Sequence, residues 1–116
     1  MITGMHALIF SENAEADREF LRDALGFAYV DDGDGWLIFK APPSEVGVHP
    51  ADGPPKHEIY LMADDIIRTT EDLRSKGVEI VREPEPRGYG IEAVIRLPGG
   101  STLGIYEPRH KMAKDL

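Results

Sequence analysis

The chain contains no cysteine, which excludes a disulfide framework, a thiolate metal site and a cysteine nucleophile. It has one tryptophan and no apolar run approaching the roughly 20 residues that a membrane-spanning helix needs. Cationic side chains are scarce: Lys and Arg total 13 against 21 Asp and Glu, for a formal net charge of -8. That balance opposes binding to nucleic acid or an anionic membrane unless the few basic residues cluster, and here they are dispersed. The opening residues, MITGMH, lack the basic segment and apolar stretch of a secretory signal. The expectation is a soluble, cytoplasmic protein. At 116 residues the chain suits a single domain, with any large cleft shallow or shared.

What is present is one plan used twice. Residues 6–10 are apolar at nearly every position, a strand pattern covered on both faces, with His6 as its polar exception. Asn13 is placed to cap a helix whose Phe20, Leu21, Ala24 and Leu25 form an apolar stripe, and Gly26 supplies its stop. Residues 27–30 and 36–40 read as a hairpin around an Asp/Gly turn, with a short strand at 46–49 after Pro42-Pro43. A Pro-rich linker at 50–55 leads into the second round. There a strand ends at Asp64-Asp65, which caps a helix with Ile66, Thr70 and Leu73 inward, and Gly77 stops it before a strand at 78–81. Residues 83–90, with two prolines and two glycines, read as a loop. Strands at 91–97 and 102–106 flank the turn Pro98-Gly99-Gly100.

This order predicts an α+β fold built from two βαβββ modules, residues 3–50 and 56–108, joined in a curved mixed sheet, with a charged tail at 109–116. One helix per module cannot cover both faces of its strands, so the concave faces meet each other or those of a second chain. A homodimer is expected.

Certain motifs, taken in order, are similar to those of the vicinal oxygen chelate superfamily, the glyoxalase, bleomycin-resistance and extradiol-dioxygenase group. They are Leu25-Gly26-Phe27, Asp64-Asp65-Ile66, Lys76-Gly77-Val78, and Pro98-Gly99-Gly100 followed by Leu103-Gly104-Ile105-Tyr106. The resemblance implies a metal site with a ligand from the first and last strand of each module. The position twenty residues before Gly26 is His6, and the end of module one offers His49. In module two the pattern points to Glu58, while internal alignment of the two helix stops points to His57. His57 shares strand parity with Ile59 and Leu61, which suit the helix-covered face, so Glu58 is favoured toward the cleft. The last position, where metal-binding members usually carry Glu, holds Gly104.

The resemblance thus implies His6, His49 and Glu58 as ligands of a divalent ion such as Zn, Fe, Ni or Mn. Such an ion would serve lyase, isomerase or dioxygenase chemistry on a small oxygen-rich metabolite, with Glu107 as candidate base. Trp36, Tyr60, Met62, Tyr89 and Tyr106 are candidates to line an aromatic pocket. The alternative is a metal-free protein that binds or sequesters a flat small molecule, for which Gly104 in place of the last carboxylate is the motive. For each residue a plainer role stands beside these: His6 as a core histidine, His49 and Glu58 as strand-edge surface groups, the aromatics as core. Residues 87–90 read either as a lid or as a hairpin turn, and His110 as an inert tail residue.

Overall fold

Local capping starts both helices where the sequence places them. The computed structural model describes residues 6–45, 47, 50 and 53–116. The Asn13 side chain accepts the Ala16 N–H at 3.1 Å and opens α1 (Ala14–Glu19), which continues as a π-helical turn (Phe20–Ala24) and ends at Gly26 with φ 70°. β1 (Tyr29–Asp31) and β2 (Leu37–Phe39) follow as an antiparallel pair. β3 (Tyr60–Met62) leads to α2 (Ile66–Ser75), where Asp65 accepts the Arg68 N–H at 3.1 Å and Gly77, with φ 84°, closes the helix. β4 (Glu79–Arg87), β5 (Gly90–Arg96) and β6 (Thr102–Pro108) complete the second module. A short 3₁₀ turn (Ala113–Asp115) ends the chain.

β3 to β6 form one mixed sheet in the order β3-β6-β5-β4, with β3 parallel to β6 and the other pairs antiparallel. The α2 crossover therefore spans from one edge of the sheet to the other, and the β5–β6 hairpin fills the gap. Ile66, Thr70 and Leu73 of α2 are buried, as the pattern predicts, against Ala93, Ile95, Leu103 and Ile105. Phe20 joins this core from the first module. The modules are also pinned by polar contacts. Asp17, itself buried, accepts the Gly99 N–H at 2.7 Å, the Glu12 N–H donates to the Gly99 carbonyl at 3.0 Å, and Lys76 donates to the Ala24 carbonyl at 3.1 Å.

Two expectations are corrected. Residues 6–10 form no strand among the described residues, and they are exposed: Leu8 at 64% and Phe10 at 88%. Apolar alternation records what a segment is suited to bury, but not whether its own chain supplies the cover. Residues 83–87 belong to β4 rather than to a loop, with Glu85 opposite Glu92 and Pro86 opposite Ile91. β4 is an edge strand, so Pro84 and Pro86 can lack N–H groups without breaking an interior ladder. The expected strand at 46–49 falls largely outside the described residues.

Candidate functional site

Because α2 covers one face of the four-stranded sheet, alternation assigns the other face to a second set of side chains. Leu103 and Ile105 are buried on the helix side. Gly104 and Tyr106 alternate with them, and in register they stand opposite Tyr60 and Met62 of β3 and opposite Val94 and Glu92 of β5. A Cβ at position 104 would overlap the Tyr60 ring. Glycine at this position is what lets Tyr60 lie across the β6 backbone.

Tyr60 is the first of three tyrosines gathered on this face. The Tyr106 ring centre is 6.0 Å from that of Tyr60 at an interplanar angle of 89°, and 5.7 Å from that of Tyr89 at 80°. Tyr106 thus lies between two rings nearly perpendicular to it, the edge-to-face geometry that the ring quadrupole favours. His110 stacks on Tyr106 at 6.0 Å and 25°.

Each tyrosine hydroxyl faces an acceptor. Tyr60 donates to the Glu58 carboxylate and Tyr89 to the Glu92 carboxylate. The Tyr106 hydroxyl lies 3.3 Å from His110 Nε2, and His110 Nδ1 lies 2.8 Å from the Lys111 carbonyl. A carbonyl only accepts, so Nδ1 carries the proton, and in the neutral ring Nε2 is left to accept from Tyr106. The hydrogen bond to Glu58, reinforced by burial, pushes the Tyr60 phenol up to about 12. Burial, with the Glu45 charge second, pushes the Tyr106 phenol up as well.

Glu92 is the buried charge of this face, at 7% exposure. Besides Tyr89 it has Arg82, whose Nη1 stands 3.8 Å from Oε1 on a half-exposed side chain. The sequence reading missed Glu92, because a charge alternating with apolar residues in a strand looks like an ordinary solvent-facing position. His110 was missed for a similar reason, its charged setting giving no sign that the tail returns to the sheet.

The other expected site residues are dispersed. His6 is exposed, and His49 lies outside the described residues. Glu58, besides accepting from Tyr60, is 2.7 Å from Lys56 Nζ. Glu107 is on the helix face: its Oε1 accepts the Ile66 N–H at 3.1 Å at the start of α2, and Arg109 holds its Oε2 at 2.6 Å. An acid there complements the positive end of the helix, so this candidate base is engaged in capping. Trp36 is in the turn between β1 and β2, with the Arg18 guanidinium 4.6 Å from its ring centre. Met62, opposite Tyr106 in register, also lines a crevice of about 360 Å³ with Leu25, Phe27, Leu61 and Leu73.

The sequence model of the Glyoxalase/Bleomycin resistance protein/Dioxygenase superfamily matches residues 5–105. The chain belongs to this superfamily. No protein of curated function matches it. Among solved structures, lactoylglutathione lyase from Agrobacterium tumefaciens is 19% identical with a TM-score of 0.65, over 90% of this chain and 92% of that one. TnmS3, an antibiotic binding protein from Streptomyces sp. CB03234, is 22% identical with a TM-score of 0.64, over 93% and 98%. A superfamily member from Sphaerobacter thermophilus is 21% identical with a TM-score of 0.63, over 91% and 98%. At these identities the likeness is one of fold.

Against the metal pattern of the superfamily, the described residues do not fit. No three of their His, Asp and Glu side chains converge on one point. At the position of the usual last carboxylate the Tyr60 ring occupies the space that a side chain would need. The face offers instead aromatic surfaces and two carboxylates already bonded to phenols.

Proposed function

We propose that this superfamily member is a small-molecule-binding protein that holds a flat ligand against the Tyr60, Tyr89 and Tyr106 cluster without a metal ion. The observation that carries this reading is the Tyr60 ring over Gly104, an aromatic surface where a metal-dependent relative would place a ligand side chain. Stacking on such rings stabilises a bound aromatic by about 0.5–1.5 kcal/mol per ring contact beyond area burial. The antibiotic-binding relative of the same fold agrees with this reading.

The metal-dependent lyase, isomerase or dioxygenase expected from the resemblance requires His6, His49 and Glu58 to meet. It is the weaker reading, because Glu58 is engaged by Tyr60 and Lys56. The homodimer remains part of the proposal. Leu8 and Phe10 are exposed among the described residues, and a second copy is the simplest cover for them. So does a cytoplasmic location; among the described residues no helix is long and apolar enough to cross a membrane.

The test is a titration of planar aromatic compounds by calorimetry, on wild type and Tyr60→Ala, with and without a chelator. Saturable binding that survives the chelator and falls about ten-fold in Tyr60→Ala is the expected result. Binding that needs a divalent ion, and that is indifferent to Tyr60 but lost in His6→Ala, would replace this proposal with the enzyme reading.

A further inference from the structure

The polarity of the tyrosine cluster narrows the ligand beyond flatness. All three phenolic protons face acceptors, two of them carboxylates. What remains toward a ligand is π surface and acceptor oxygen, since a carboxylate that takes one phenolic proton keeps further lone pairs. Both features attract positive charge: ring faces through their quadrupole, and carboxylates directly. Glu92 contributes most, because it is nine-tenths buried and its field is little screened, whereas Glu58 is exposed and close to Lys56.

Glu92 is also incompletely neutralised. The cation facing it is Arg82 on β4, at 3.8 Å, beyond hydrogen-bond reach and half exposed. Its strand partners are the uncharged Tyr106 on β6 and the acidic Glu85 on β4, itself paired with Arg87 at 3.1 Å, and the adjacent Tyr89 is uncharged, so among the described residues no further cation offsets it. The chain as a whole carries a net charge of -8, which draws cations toward the site at low ionic strength.

We infer that the site selects planar organic cations, with Glu92 as the residue that reads the charge and Tyr60, Tyr89 and Tyr106 as the walls that read the ring. This rests on the small-molecule-binding function proposed above, and it adds the ligand's chemical class. A cationic nitrogen seated against the exposed ring surfaces beside Glu92 displaces Arg82 from its loose contact and takes up the free acceptor capacity of Glu92. Arg82 is therefore a competitor of the ligand, not a partner.

The experiment compares two probes of nearly one shape at pH 8, N-methylacridinium and neutral acridine, by calorimetry or fluorescence. Wild type is expected to bind the cation on the order of ten-fold more tightly than the neutral ring. Glu92→Gln keeps an acceptor for the Tyr89 hydroxyl and removes the charge. It is expected to bring the two affinities close together, chiefly by weakening the cation. Arg82→Gln is expected to tighten the cation and leave acridine unchanged, which no purely structural role for Arg82 produces. Melting curves of both variants verify that they are folded. Equal binding of the two probes by wild type, or a preference for the cation that persists in Glu92→Gln, overturns the charge assignment and leaves the aromatic site standing. Binding of neither probe overturns both.

Discussion

At the scale of single residues, Gly104 and Tyr60 must be read as a pair. The glycine looks in the sequence like a missing ligand; in the structure it is the space that admits a ring. The same pairing has a consequence at high pH. The Tyr60 phenol is raised from 10.0 to about 12, first by its hydrogen bond to Glu58 and then by burial. A phenol whose folded value lies above its unfolded one binds its proton more tightly in the native state. Its contribution to stability is complete below pH 10 and is lost as pH rises through about 12. A phenolate absorbance titration checks this: wild type is expected to have more than one tyrosine that ionises late, and Tyr60→Phe to lose one such late step. If Glu58→Gln leaves that step in place, the hydrogen bond is not its cause.

At the scale of elements, the decisive contact is that of β6 with α2. Glu107 has the parity of Leu103 and Ile105, so its carboxylate reaches the free N–H of Ile66 instead of the tyrosine face. A first-turn N–H satisfied by an acid contributes about 1 kcal/mol, and the helix dipole adds a few tenths more. Glu107→Ala is expected to lower the melting temperature by several degrees, with ligand affinity unchanged. Lost binding at an unchanged melting temperature would instead restore the catalytic role that the sequence suggested for it. β4 carries a related lesson. Pro84 and Pro86 look like loop residues in isolation, and only their place at the sheet edge makes them compatible with a strand.

At the scale of the whole molecule, the described residues of the first module leave Leu8, Phe10, Val30 and Trp36 all exposed. Light scattering is expected to give a dimer at micromolar concentration, and Leu8→Asp with Phe10→Asp to shift it toward monomer. A wild-type monomer with unaltered ligand binding would remove the dimer from the proposal. The sequence by itself determined the helices, their caps at Asn13 and at the Asp64-Asp65 pair, and their glycine stops, because each depends on neighbours a few residues away. It also determined that Tyr60 and Leu61 face opposite ways, since alternation is a property of the strand alone. Only the tertiary structure decided that Tyr60 lies over Gly104, that Tyr89 bonds Glu92, that His110 returns to Tyr106 and that Glu107 caps α2. Two of these contacts join separate elements, and the two local ones, Tyr89 with Glu92 three residues apart and Tyr106 with His110 four apart, depend on the path of the β4–β5 turn and of the chain leaving β6. They depend on sheet register and packing, which no local pattern of residues encodes.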